Sequence, residues 1–360
     1  MSKRFIAAYA VFFTIVLAAL TADIWSNGSP LILKYRGEIY FPALREVPAS
    51  AFGIRDRLLV DYKALRLSPE DWAIWAPNRW SPNEMNRAGE SYPLKPSRVN
   101  WLGTDDRGRD VLARLLYGAR LTLLFATAVW ILSTAIAIVV GAVAGFLGGW
   151  VDLLSQRIIE IFSTIPQLFI LIFLVTIFEP SMNVLITVNV VFGWIGISYY
   201  IRAEALRIRQ LEYVEAARSF GASPVRILFR HVIPNSLGPA LTLSPFILIG
   251  NVTALTALDF MGLGLPPPTP SWGELLGQGQ TYFSSAWWLA FFPTAVLFVL
   301  LMSVALIGEH LRLRYERPHR PSGFYERMVG NIRKMIDRIF IRRVQTVGPK
   351  LRVNSAGNIH

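Results

Sequence analysis

Long apolar runs alternate with polar connections along the chain. Six runs stand out, at 5–22, 121–148, 158–178, 182–200, 237–258 and 288–307. Each approaches the ~20 residues that a helix needs to cross a hydrocarbon core of about 30 Å. They are apolar on all faces rather than along one stripe, the pattern of segments surrounded by lipid. Only a helix satisfies its own backbone groups there, so all six are expected as transmembrane helices. The first run follows Lys3 and Arg4 and has no small-residue cleavage site after it, so it reads as a retained anchor. Pro166 and Pro245 fall inside runs and are expected to kink them. Gly141, Gly145, Gly148 and Gly149 recur on the second run and invite close helix contact.

Composition agrees with this division. Hydrophobic residues make up 53% of the 360 positions and charged residues 17%, against roughly 25% charge in soluble domains. Without cysteine, disulfides, thiol nucleophiles and thiolate metal centres are excluded. The four histidines, His231, His310, His319 and His360, show no metal-pair spacing. The net charge of +12 has a location: six arginines lie within 202–236, and twelve Lys or Arg against three acids lie from 311 onward. The connections at 179–182 and 260–286 carry neither Lys nor Arg. The positive-inside rule therefore places both termini and 202–236 in the cytoplasm. Arg98, Arg107, Arg109, Arg114 and Arg120 fall outside, on a connection of about 95 residues where the rule is weak.

Four regions follow: an anchor helix at 1–25, a small periplasmic subdomain at 26–118, a five-helix membrane domain at 119–310, and a basic cytoplasmic tail at 311–360. The fold class is an all-α polytopic membrane protein with six transmembrane helices and a periplasmic insertion after the first. In the tail, Met328, Ile332, Met335, Ile336, Ile339 and Phe340 alternate with Arg327, Arg333, Lys334, Arg338, Arg342 and Arg343. That pattern predicts an amphipathic basic helix for the inner-leaflet surface. No aromatic stacking platform accompanies the charge, so nucleic acid is not an expected partner.

The cytoplasmic connection carries the most specific local chemistry. Glu215, Ala216, Ala217 and Arg218 favour a helix. Gly221 can end it at positive φ. Ser223 is then a good N-cap, and Pro224 suits the first position of a second short helix. Pro234 is expected to stop that helix before the fifth run. Glu215 could pair with a basic group of a partner or with Arg218 three residues on.

This segment resembles the EAA motif of bacterial ABC importer permeases, with Glu215, Ala216, Ala217, Gly221 and Pro234 at the matching spacing. Ser223, Pro224 and Arg226 belong to the same loop, and His231 stands where an apolar residue is usual, as in the peptide branch. A second segment, Gly103-Thr104-Asp105-Asp106-Arg107-Gly108-Arg109-Asp110, resembles the signature before the second span in C-type dipeptide and oligopeptide permeases. By its own chemistry it is turn and cap material whose Arg and Asp can pair locally. A third, with Gly262, Gly264, Pro268, Pro270, Trp272 and Gly273, resembles the external loop between the fifth and sixth spans, a rigid gate, docking surface or plain hairpin. Residues 29–51 look like the microcin C-type permease, the nearest relative by this comparison.

The resemblance implies the type I ABC importer permease fold and a bacterial inner-membrane location. It also implies partners: a second permease subunit, two ABC ATPase domains and a periplasmic binding protein for peptides or peptide-like compounds. The 202–236 loop would couple to the ATPase. No phosphate-binding Gly-x-x-x-x-Gly-Lys-Ser/Thr occurs, so no nucleotide cofactor and no enzymatic activity are expected on this chain. The alternative class is an ion-coupled secondary transporter, which needs titratable residues in mid-membrane and inverted repeats. A membrane enzyme would need a nucleophile–base pair or a metal site, which the sequence does not offer. Asn189, Asn251, Thr253, Ser133 and Thr134 could line a path or simply bond neighbouring helices.

Overall fold

The computed structural model describes residues 3–53, 60–87, 89 and 91–315. The amphipathic helix expected in the tail lies outside the described residues. Helix α1 (Lys3–Leu20) leads through the single turn α2 (Ala22–Trp25) into a small antiparallel sheet. Its strands β1 (Ile32–Tyr35), β2 (Glu38–Tyr40) and β3 (Trp72–Ile74) run in the order β2-β1-β3. Leu33 pairs with both Tyr40 and Ala73 in register and is fully buried. With Tyr35 and Phe52 it makes the core of this insertion.

Helix α3 (Val111–Leu147) then runs for 37 residues, about 55 Å at 1.5 Å per residue. That exceeds a bilayer core, so its first turns project beyond the lipid. It begins well before the apolar run because Asp110 caps it, accepting from the Ala113 N–H at 2.8 Å. The boundary drawn at 118/119 therefore falls inside one continuous helix.

Five helices are long and apolar enough to cross a membrane on their own: α1, α3, α6 (Met182–Arg209), the helical stretch Pro224–Phe260, and α11 (Trp288–Tyr315). The third expected run is broken. Helices α4 (Gly149–Thr164) and α5 (Gln167–Ile177) meet at 67° on either side of Pro166, the residue expected to kink the run. By contrast α9 (Ile233–Phe260) is continuous through Pro239 and Pro245.

Contacts establish that the bent pair is a full crossing. Helices α3 and α6 lie side by side and parallel. Phe125 clusters with Leu185 near one end. Near the other, a Cβ added at Gly141 would sit 2.7 Å from the Ser198 carbonyl oxygen and 2.9 Å from Ile201 Cβ. One added at Gly145 would sit 2.8 Å from Ala205 Cβ. Only glycine allows this approach. At that same end Arg202 grips Asp152 through two bonds of 2.5 and 2.7 Å. Parallel neighbours require the chain to return across the layer between them, and α4–α5 is the only segment available. Six crossings result, and 26–110 and 261–287 must share one side. They do touch, as described below. Arg4 of α1 and Glu309 of α11 meet at the opposite side, 3.1 Å apart.

Three of the polar residues inside the spans make helix-to-helix or local bonds, whereas the Thr134 hydroxyl is buried without a hydrogen-bond partner among the described residues. Asn189 Oδ1 accepts from Gln167 Nε2 at 3.0 Å, and its amide donates to the Leu185 carbonyl at 2.8 Å. Asn251 Nδ2 donates to the Ala126 carbonyl at 3.1 Å. Ser133 bonds the Val129 carbonyl on its own helix.

Candidate functional site

Two sites emerge, one at each end of the helices. The first is an elbow between α6 and α9. Helix α7 (Glu212–Ser219) ends in a Schellman motif: the Ala222 N–H reaches the Ala217 carbonyl at 3.0 Å and the Gly221 N–H reaches Arg218 at 2.9 Å. This closure requires a residue at positive φ, and Gly221 has φ +78°. Ser223 Oγ accepts from the Arg226 N–H at 3.4 Å, and Pro224 opens the one-turn helix α8 (Pro224–Ile227).

The expected stop at Pro234 does not occur. Helix α8 passes into a π-helical turn, Leu228–Val232, and then directly into α9. The wider turn resolves the conflict between proline and helix: Ile233 bonds back to Leu228, and Pro234 falls within the first turn of α9, where no intrahelical donor is needed. The Asn235 side chain donates to the His231 carbonyl at 2.6 Å.

The elbow is rooted in the core. Val214, Ile227, Leu228 and Val232 are buried in one cluster with Phe146 of α3 and Ile201, Ala205 and Ile208 of α6. Its outward face is unusual. Phe220 is 91% exposed, and Val225 and Phe229 are each 65% exposed. Glu215, Ala216, Ser223, Pro224 and Arg226 are exposed on the same unit. Glu215 forms no ion pair among the described residues, and Arg218 lies over the Phe146 ring at 5.4 Å instead. His231 packs against Tyr213 with ring centroids 5.9 Å apart, joining α7 to the π turn.

The second site joins the two segments before α3 and after α9. Gly103 and Gly108 turn at φ +81° and +75°. Thr104 exchanges bonds with Leu94, and Trp288 of α11 donates to the Thr104 carbonyl at 3.1 Å. Asp105 is fully buried and accepts from the Arg109 N–H at 2.8 Å and Arg109 Nε at 2.6 Å. Arg109 Nη2 donates to Glu274 Oε1 at 2.9 Å. Arg114, also fully buried, donates to the other oxygen of Glu274 and to the carbonyls of Pro82, Pro268 and Thr269. Asp110 accepts from Asn78 at 2.7 Å and Asn100 at 2.9 Å besides its cap bond.

The segment after α9 closes on this cluster. Gly262 at φ +74° ends α9 by the same Schellman pattern, with Leu263 bonding Leu258 at 2.8 Å. Gly264 and Gly273 lie against Asp259 with no room for a Cβ. Pro270 precedes Ser271, the N-cap of α10 (Trp272–Thr281), and buried Trp272 donates to the Leu115 carbonyl at 2.9 Å. Local Arg–Asp pairing is legible in the sequence. The long-range partners Arg114 and Glu274 are not, because nothing in the spacing relates positions 160 apart.

Electrostatics outside the spans follow burial and neighbours. Burial opposes the Arg109 charge, but Asp105 and Glu274 outweigh it and raise its pKa. Burial raises Asp110 despite its donors. Asp106 is raised by burial and by the adjacent Asp105 charge, and its Oδ1 is buried without a hydrogen-bond partner among the described residues.

Residues 137–317, which hold the elbow, match the family described as binding-protein-dependent transport system inner membrane component. An inner membrane ABC transporter permease, YejE of Escherichia coli, is 40% identical over 309 residues, covering 84% of this chain and 90% of that protein. A peptidoglycan transport system permease, YejE of Agrobacterium fabrum, is 36% identical over 86% of this chain and 89% of its own. The dipeptide permease DppC of Bacillus subtilis is 34% identical over 61% of this chain and 69% of its own. The chain therefore belongs to the binding-protein-dependent inner membrane permeases, multi-pass components of ABC transport systems.

Proposed function

We propose that this chain is a permease subunit of an ABC importer for peptides or peptide-like compounds. The observation that carries the reading is the elbow: a rigid, core-rooted unit that holds Phe220, Val225 and Phe229 exposed on its outward face. Exposed apolar side chains on a well-formed unit mark an interaction surface. The arginines around it support, by the positive-inside rule, a cytoplasmic location for this end of the helices and for both termini. Two ATPase domains dock there, with Glu215, Ala216, Ala217, Gly221, Ser223, Pro224, Arg226, His231 and Pro234 forming the coupling loop. A push on the elbow reaches α3 and α6 through Val214, Ile227 and Phe146.

At the other, periplasmic end, the joined segments 103–114 and 262–274 hold the external mouth. A binding protein delivers peptide there, and a second permease subunit completes the path. The peptide substrate is supported by relatives named for dipeptide and oligopeptide transport. Energy comes from the partner ATPase, so no catalytic residue or cofactor is assigned to this chain. Family membership sets aside the ion-coupled alternative.

Purification of the tagged chain from native membranes tests this. Recovery of a nucleotide-hydrolysing subunit and a second permease is expected, together with peptide-stimulated uptake in reconstituted vesicles. Recovery of the chain alone from membranes that contain those subunits contradicts it.

A further inference from the structure

An apolar cleft of about 300 Å³ runs between α1, α3, α9 and α11. Phe12 and Val16 of α1, Leu124 and Thr127 of α3, Leu248 of α9 and Leu301 of α11 line it. One charged side chain, Arg120, stands at its mouth. Arg120 is only partly engaged. Its Nε and Nη2 donate to the carbonyls of Ala19 and Leu20 and to Asp23, at 2.9, 3.1 and 2.8 Å. Its Nη1 has no hydrogen-bond partner among the described residues.

The depth of the cleft has a natural counterpart. From Leu20 at the mouth to Phe12 is eight residues of helix, about 12 Å. Half a hydrocarbon core is about 15 Å, the span of one leaflet's acyl chain. The mouth is at headgroup level: Arg120 stacks over Tyr117 at 5.0 Å, and Trp25 is half exposed one turn beyond α1. Aromatic and cationic side chains together mark the membrane interface. We infer that this cleft is a binding site for a single phospholipid of the leaflet on the α2 side, its acyl chain between the four helices and its phosphate on Arg120 Nη1. The two N–H groups of Nη1 remain for a phosphate while Nε and Nη2 stay on Ala19, Leu20 and Asp23. The occupant is a lipid rather than a protein helix because the cleft ends near mid-membrane and is capped by a cation. The inference rests on membrane insertion and not on the peptide substrate.

The full chain, purified with its subunits and placed in phosphatidylethanolamine–phosphatidylglycerol nanodiscs, tests it. A small fraction of phosphatidylglycerol carries a diazirine on one acyl chain, and labelled residues are read by mass spectrometry. Labelling is expected to concentrate on Leu248, Leu301 and Thr127 over Phe13 and Leu17, which face outward on α1 at 61% and 62% exposure. Arg120→Gln is expected to lower the cleft labelling by about fivefold or more and leave Phe13 and Leu17 unchanged. Leu301→Trp, which fills the cleft and leaves Arg120 in place, is expected to do the same. Equal labelling at all five positions overturns the site as mere annular lipid. A cleft labelled in the isolated chain but protected in the complex also overturns it, because a subunit then occupies the groove.

Discussion

Arg109 Nη2 donates to Glu274 Oε1 at 2.9 Å, across 165 positions of sequence. The same carboxylate takes Arg114, so two buried cations depend on one acid contributed by α10. This tie fixes the segment after α9 onto the start of α3. It makes this end of the helices one body, in keeping with both connections lying on one side of the membrane.

Removal of that acid is costly. Glu274→Ala leaves Arg109 and Arg114 buried with only Asp105 as countercharge, and such a loss costs about 3–5 kcal/mol. The expected outcome is a large fall in thermal unfolding temperature in mild detergent. Glu274→Asp, one methylene shorter, is expected to recover part of it. An unchanged melting temperature in Glu274→Ala contradicts the cluster.

Helix contact between α3 and α6 leaves no space at Gly145, where a Cβ would meet Ala205 Cβ at 2.8 Å. Gly145→Val is expected to destabilise by at least about 1–3 kcal/mol, the usual range for overpacking. Gly196, which has open space around it, serves as the control: Gly196→Ala is expected to be near neutral. Equal melting temperatures for the two variants would count against the close approach.

Gly221 differs from Gly145 in its physical reason. A Cβ there meets nothing within 4 Å, but φ is +78°. Gly221→Val carries backbone strain of about 1–3 kcal/mol and reshapes the elbow. Uptake is expected to fall severely while the protein still inserts. Gly221→Asn, which tolerates the left-handed region, is expected to keep most of the uptake. Loss of function in both variants alike would mean that size rather than φ matters.

Asp106 offers a pH signature. Its folded pKa is raised above the unfolded 3.8, so the folded state favours the neutral acid. Its contribution is fully present below pH 3.8 and is lost as pH rises through the raised value. Asp106→Asn cannot ionise, so it is expected to be more stable than the parent at pH 7 and to show no such gain below pH 3.8. Unfolding curves at the two pH values read this directly. A gain that is independent of pH contradicts the assignment to ionisation.

Much of this fold is legible in sequence because lipid imposes a simple rule: apolar length gives a helix. The 67° break of the third run falls at Pro166, where proline signals it, but the same signal at Pro245 leaves α9 continuous, so the proline alone does not say which helix breaks. Local turn chemistry is equally legible at Ser219–Pro224, where cap, glycine and proline act within a few residues. Pro234 shows the limit of local reasoning. Its effect depends on whether the preceding turn can widen, and Leu228–Val232 does so as a π turn. The Asp105–Arg109 pair and the Asp110 cap of α3 are local, but the ties of Arg109 and Arg114 to Glu274 join positions distant in sequence, which no local pattern encodes. Phe220 escapes sequence reading for the opposite reason: its apolar side chain is left outside.

The central claim is that the elbow at 212–235 receives the motion of a cytoplasmic ATPase. The chain contains no cysteine, so a single introduced thiol reports without background. Phe220→Cys, in native membranes, is treated with a thiol-reactive photo-cross-linker, which needs no thiol on the partner, and illuminated during ATP turnover. The account predicts a cross-link from this position to a nucleotide-hydrolysing subunit, with a yield that changes when hydrolysis is blocked. Labelling of the same thiol in intact cells by a membrane-impermeant reagent from the periplasm, with no cross-link to any cytoplasmic subunit, would contradict it.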